Sequence, residues 1–466
     1  MHASIEQPLG QVSAQGGKDI AAMLRNDRLP NGFRLYHVHR PHTKSVSMAL
    51  AFPFGSAHEP REKRGITHLL EHVMLRGSEK ISQHQLRREF DRRGGWINGQ
   101  TWHELLCFEA TLPAKHLAFA LEALREVVFA PELSPESLQS EKDVIKTEPG
   151  FIRRAWIYKA RRALRRWGLV GSPGHVVEAR VHNRPEFYEP IAGFASTVRS
   201  IRHDELTSLY HERIAPGSAA LIMVGDVPWE QAHSMADELF SSLAPKPFTL
   251  AAPVCPHPLR LPSQHSLIAF SPRPTITMDY VFPFGGQSEP DYAALHVLAF
   301  LIRGILFDEL RIHRGLIYDI HSYPEALGQN GILRIELDCP HGARQKIDAW
   351  IQAKLDELAA GIIDEQEFED ARNACHGSFQ VWMQSLDAHM EWIVGHLHAI
   401  ESPWVSEWPN VILRVELDQV KQAAGHLLRA DNRLCVMEEM LPSWLISRLG
   451  RLALAPRYPK AAKSAA

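Results

Sequence analysis

The chain has 466 residues, 45% of them hydrophobic and 23% charged, with a formal net charge of -3. That length exceeds one ordinary core and points to roughly two to four domains, and the ordinary composition excludes a disordered or fibrous chain. The near-neutral charge gives no pull towards nucleic acid, and no window of uninterrupted apolar residues is long enough to span a membrane.

The five cysteines (Cys107, Cys255, Cys339, Cys375 and Cys435) are scattered and form no C-x-x-C pair. A disulfide framework or thiolate zinc site is therefore not expected, and with no secretory leader pattern at the N-terminus a soluble, cytoplasmic protein is.

Residues 1–26 are polar and read as a loose arm. Leu29-Pro30-Asn31-Gly32 marks a turn, and alternating apolar residues from Phe33 to Val38 and from Val46 to Phe52 predict two antiparallel strands. Gly65 then opens a helix carrying His68-Leu69-Leu70-Glu71-His72, which runs towards Gly77. Further helices are predicted from Ser82 to Arg93, Pro113 to Val128, Glu136 to Thr147 and Ile201 to Arg213, and strands from Trp96 to Gly99, Leu105 to Thr111 and Ala219 to Val224. The Pro-rich stretch 245–265 is the best linker. It separates a first α+β domain, 27–244, from a second, 266–455, followed by a tail, 456–466.

Within the first domain the stretch Arg153 to Trp167 carries seven basic residues, with Trp156, Ala160, Leu164 and Trp167 at helical spacing. A solvated face is the ordinary reading of such a run. The sharper one is a basic wall for an acidic peptide substrate or partner.

The second half repeats the first. Phe52-Pro53-Phe54-Gly55 recurs as Phe282-Pro283-Phe284-Gly285 and Glu59-Pro60 as Glu289-Pro290, six matches in nine positions at a constant offset of 230. At that offset His68, Glu71 and His72 become Leu298, Leu301 and Ile302. One copy keeps the polar constellation and the other has lost it, which suits a catalytic site better than a structural one.

His68 and His72, four positions apart, lie about one helical turn apart on one face, where both imidazoles can share a metal ion. Glu71 leans onto the same face. The order H-x-x-E-H is the inverzincin signature. With Gly55-Ser56, Glu59, Gly65 and Gly77-Ser78 around it, the chain resembles the pitrilysin, insulinase and processing-peptidase group of zinc metallopeptidases over most of both halves.

That resemblance implies two tandem homologous α/β-sandwich domains, each an antiparallel sheet packed by helices, and one Zn²⁺ per chain. It implies Glu148, 76 residues after His72, as third ligand beside His68 and His72, with Glu141 as partner to a ligating histidine. Glu71 would be the general base, and Arg311 and Tyr318, in a pattern Leu310-Arg311 then Gly315-Leu316-Ile317-Tyr318, would contact substrate and stabilise its oxyanion. Asn98 and Gly99 fall where the family has a substrate-binding edge strand, Gly99 replacing the usual alanine.

The expected function is a zinc-dependent endopeptidase acting on extended peptides in a closed dimeric chamber. General peptide degradation and trimming of a ribosomally made precursor are both compatible with it. With two domains rather than four, the chamber calls for a homodimer or a heterodimer with a zinc-less relative. The competing expectation, since the resemblance extends to non-catalytic core proteins, is a catalytically idle structural or maturation subunit of a heteromeric complex.

Overall fold

The structure is a computed structural model and describes residues 24–148, 151–181, 184–248, 266–271, 275–285, 292–327, 330–400, 402, 405 and 407–440. Most of the expected linker, arm and tail, together with Glu289-Pro290, lies outside these residues.

The fold is α+β, with two mainly antiparallel sheets packed by helices. The first sheet contains β1 (Leu24–Arg28), β2 (Arg34–His39), β3 (Ser45–Phe52), β4 (Trp96–Thr101), β5 (Leu106–Pro113) and β6 (Ala220–Gly225), in the order β1-β2-β6-β3-β5-β4. The second contains β7 (Ser266–Ser271), β8 (Thr275–Phe284), β9 (Ile320–Leu327), β10 (Asn330–Pro340) and β11 (Leu434–Met440), in the order β7-β11-β8-β10-β9.

From β2 onward the two orders are the same. In each sheet the first and last strands of the copy pair in parallel, β2 with β6 and β7 with β11, and the neighbouring pairs are antiparallel. The duplication read from Phe52 and Phe282 is thus a duplication of topology.

β2 and β3 run antiparallel, as expected, but are not neighbours, because β6 lies between them and bonds to both. The arm 1–26 is also too long: Leu24 already belongs to β1, which closes a hairpin with β2 through the turn in which Gly32 N–H donates to the Leu29 carbonyl.

The helices of eight residues or more are α1 (Ile66–Met74), α2 (Gln83–Arg92), α3 (Leu117–Phe129), α4 (Pro135–Ile145), α5 (Ala155–Arg166), α6 (Pro173–Val181), α7 (His203–Arg213), α8 (Trp229–Phe240), α9 (Tyr292–Phe307), α10 (Arg344–Ala359), α11 (Glu365–Trp382), α12 (Leu386–Gly395) and α13 (Leu417–Leu427). On one face of the first sheet, Val46, Met48, Leu50, Phe108 and Leu221 join residues of α1, α3 and α8 in a single buried core. Strand alternation turns Ser47, Ala49 and Ala51 the other way. These small residues admit α12, whose Asp387 accepts hydrogen bonds from Ser47 Oγ at 2.6 Å and Thr111 Oγ1 at 2.9 Å.

The chain does not divide at one cut between 27–244 and 266–455. One compact unit comprises 1–153, 189–254 and 376–414, and the other 154–188, 255–375 and 415–466. Packing explains the interleaving. The valines of α6, Val176, Val177 and Val181, pack with Val281, Ile332, Leu434 and Val436 of the second sheet, just as α12 covers the first. Each copy's sheet is therefore covered on one face by a helix from the other copy's stretch of sequence.

Candidate metal centre

The helix that carries the site is fixed from its N-terminus. Gly65 takes φ +95, and a Cβ there would lie 2.7 Å from the carbonyl oxygen of Ala192, so only glycine fits. Glu59 supplies the cap: its buried carboxylate accepts from Gly65 N–H and Thr67 N–H, both at 2.8 Å. These donors would otherwise lack partners at a helix start, where a negative group is also favoured by the helix dipole. The opposite face is anchored by Leu69, Leu70, Val73 and Met74, all fully buried, which directs His68 and His72 away from the core.

The second element is α4, opened by Ser134, whose Oγ accepts from Ser137 N–H at 3.1 Å, and by Pro135 at its first position. Glu141 lies on this helix, and Glu148 lies three residues beyond its end. His72 Nε2 stands 3.0 Å from Glu148 Oε1, and His68 Nε2 stands 3.8 Å from Glu148 Oε2. Among the described residues His68, His72 and Glu148 form the only metal-suited group, their donor atoms all within 4.8 Å of one another.

Three donors at about 2.0–2.2 Å from a tetrahedral Zn²⁺ stand about 3.2–3.6 Å apart. The observed separations bracket that range. The two-imidazole, one-carboxylate set matches a catalytic zinc site, which keeps a fourth position open.

Glu141 stands behind this set. Its Oε2 lies 3.1 Å from His72 Nδ1 and its Oε1 accepts from Arg76 Nη1 at 2.7 Å. The contact to Nδ1 leaves His72 Nε2 facing Glu148. Burial pushes the Glu141 carboxyl up, but its bonds to His72 and Arg76 outweigh this and hold it below the usual range. Burial likewise pulls His72 down, while Glu141, Glu71 and Glu148 together raise it. His68 differs: burial, then the charge of His72, pushes it down to about 4, so its imidazole is neutral, the form that binds metal.

Glu71, almost fully buried, is pushed up to about 7 chiefly by that burial, against the opposing pull of Thr101 and His72. Thr101 Oγ1 donates to Glu71 Oε2 at 2.5 Å. Two residues earlier on the same face of β4, a Cβ on Gly99 would stand 2.6 Å from Glu71 Cγ and 2.8 Å from its Oε1. Gly99 makes room for the carboxylate and Thr101 holds it. Sequence reasoning gives neither Thr101 nor Arg76 a role; for Thr101 the signal is strand alternation, which puts it on the face of Gly99.

The same alternation separates Asn98 from Gly99. Asn98 is exposed on the opposite face, paired in register with Glu109. β4 is the edge of its sheet, as expected.

Arg311 and Tyr318 belong to the other compact unit. Arg311 lies in a π-helical turn, Asp308–His313, that continues α9. Its guanidinium stands 5.3 Å from the ring centroid of Tyr318, which is 82% exposed and so is no core residue. Leu298, Leu301 and Ile302, at the positions of the lost second site, are buried.

The grouping of His68, His72 and Glu148 and the duplicated α+β fold are what the family resemblance of the sequence implied. The comparisons agree. Residues 34–165 match the domain described as Insulinase (Peptidase family M16), and residues 200–375 match Peptidase M16 inactive domain. The chain belongs to peptidase family M16. It is 24% identical over 432 residues to the uncharacterized zinc protease YmxG of Bacillus subtilis, covering 89% of this chain and 98% of that one.

The fold is similar to that of a peptidase M16 inactive domain from Pseudomonas fluorescens, with TM-score 0.71, 16% identity and coverage of 90% and 98%. It is also similar to that of the periplasmic protease PqqL from Escherichia coli, with TM-score 0.71, 15% identity and coverage of 95% of this chain and 51% of that one. No described helix is long and apolar enough to cross a membrane.

Proposed function

We propose that the protein is a zinc-dependent endopeptidase that cleaves extended peptides, with Glu71 as general base and acid. The observation that carries this reading is the convergence of His68, His72 and Glu148 on one point beside the buried Glu71. Those three residues would hold the Zn²⁺, which when bound supplies a Lewis acid able to lower the pKa of water to about 7 and polarise a carbonyl.

The protein's own groups do the rest. Thr101 occupies Glu71 Oε2, leaving Oε1 to take a proton from the attacking water and pass it to the departing amine. A carboxylate held beside the reacting water can make both transfers. The free edge of β4 offers backbone groups to an extended peptide, the ordinary mode of strand addition.

The oxyanion would be met by Arg311 and Tyr318 of a second subunit. In this reading two chains enclose the substrate, as a homodimer or with a zinc-less relative, and the match to about half of the PqqL chain is in keeping with that. Four free, buried cysteines, Cys107, Cys339, Cys375 and Cys435, support a reducing, cytoplasmic setting. The complete donor set argues against an idle subunit.

The test is metal content and peptide cleavage measured together. Glu71→Gln should keep stoichiometric zinc and lose cleavage, whereas His68→Ala should lose both. Undiminished cleavage by Glu71→Gln would end this assignment.

A further inference from the structure

Half of the fourteen residues from 153 to 166 are Arg or Lys, and no acidic residue occurs from 149 to 177, in a chain whose net charge is -3. Helix α5 lies within this stretch. Its inner face is engaged: the Arg162 guanidinium stacks 3.4 Å from the centroid of the Tyr188 ring and donates to the Ala179 carbonyl at 3.1 Å. The outer face carries exposed indoles. Trp156 is 69% exposed and Trp167 is 71% exposed.

The spacing of Trp156, Ala160, Ala163 and Trp167 places them on one stripe. Both alanines are exposed. The relief is therefore bulky at each end and lower in the middle, where Leu164, 42% exposed, flanks the two alanines, the indoles standing about 16 Å apart along the axis. Exposed Lys159 and Arg166 border the stripe on one side, and exposed Leu164 on the other with Arg161 beyond it.

An anionic bilayer fits this relief poorly, because interfacial helices bury a continuous band of large apolar side chains and this band is interrupted by alanine. A polypeptide crossing between two indoles fits it well. Trp and Arg are the residues that anchor protein interfaces, and guanidinium groups pair with carboxylates through two parallel hydrogen bonds. Charge complementarity then sets the sign of the occupant.

We propose that this stripe docks an acidic segment of the polypeptide substrate, carrying apolar anchors and lying outside the residues that are cleaved. The assignment of that segment to the substrate rests on the peptidase reading above. α5 begins seven residues after Glu148 in the chain.

The test uses the full chain as Glu71→Gln, so that nothing is cut, and a fluorescein-labelled peptide of alternating Glu and Leu. A matched peptide with Gln for Glu and phosphatidylglycerol vesicles are the comparison probes. The acidic peptide should bind at least about tenfold more tightly than the Gln peptide, and weaken as salt rises. Trp156→Ala with Trp167→Ala, and separately Lys159→Glu with Arg166→Glu, should each weaken it about tenfold at unchanged zinc content.

Equal binding of both peptides, or unchanged binding by both double variants, overturns the proposal. So does indole quenching by vesicles without peptide binding. Self-association that either double variant abolishes would give the face to a second copy, whose acidic run Asp364 to Asp370 would be the occupant, and would also overturn it.

With the Glu71-intact enzyme, fusing the acidic segment to a cleavable peptide should lower KM and leave kcat unchanged, an effect the double variants remove. Binding without that KM effect refutes the substrate assignment. An enzyme that cuts no peptide at all refutes the peptidase reading instead, and with it the substrate assignment, while the binding arm still decides whether acidic chains dock.

Discussion

Thr101 donates a hydrogen bond from its hydroxyl to Oε2 of Glu71 at 2.5 Å, both side chains buried, from the strand that forms the free edge of its sheet. The base is thereby held by the strand expected to receive the substrate. Thr101→Val keeps the shape and removes the donor. A hydrogen bond to a charged group contributes about 1.5–3 kcal/mol, so kcat should fall roughly ten- to hundredfold with zinc content unchanged, and Thr101→Ser should restore most of it. Equal kcat in the Val and parent enzymes would dismiss the role.

Gly99→Ala tests the same carboxylate by crowding. A Cβ 2.6 Å from Glu71 Cγ must displace that side chain, so kcat should fall while the folded state persists. A crystal structure of the variant should show Glu71 moved away from β4. An unmoved Glu71 with full activity would contradict the packing described.

Glu141 should govern metal retention. Replacing it by Gln weakens the acceptor at His72 Nδ1 and leaves Arg76 without a charged partner. Losses of this kind lower metal affinity about 10–100-fold. Competition with a chromophoric zinc chelator measures it, and affinity equal to that of the parent would remove Glu141 from the site.

Glu59→Ala should destabilise the protein by about 2 kcal/mol, since two N–H groups at the start of α1 lose their acceptor. Urea denaturation reads this directly. A change below a few tenths of a kcal/mol would show that water replaces the carboxylate without loss.

His37 gives stability a pH dependence whose sign is fixed by burial. Its Nε2 lies 2.9 Å from the Val227 carbonyl oxygen, and burial pushes its pKa down from 6.5 to about 4. Between these values the unfolded chain binds the proton and the folded one does not. The stability due to the neutral ring is therefore fully present above pH 6.5 and declines as pH falls towards about 4, at about 1.4 kcal/mol per pH unit. Below pH 6.5 the parent protein should lose stability faster than His37→Gln by that slope, and parallel curves would refute it.

The site was largely legible in the sequence because its signals are local or rigidly spaced. His68, Glu71 and His72 share one helix, and Glu148 follows Glu141 by seven residues, just past the end of α4. Strand order was not legible. β6 is inserted between β2 and β3 from more than a hundred residues away in sequence, and nothing in the alternation of either strand names its neighbour. Alternation did contain the fact that Asn98 and Gly99 face opposite ways, though grouping them as one substrate-binding pair hid it. The interleaving of the compact units depended on which sheet the valines of α6 join, a long-range choice that helical spacing leaves open.

That interleaving bears on how the gene product can be divided. Severing the chain within 245–265 would leave the first sheet without α12 and the second without α6, baring an apolar or small-residue face on each fragment. Neither fragment should then fold by itself, and the two, expected to be insoluble when expressed apart, should become soluble when expressed together.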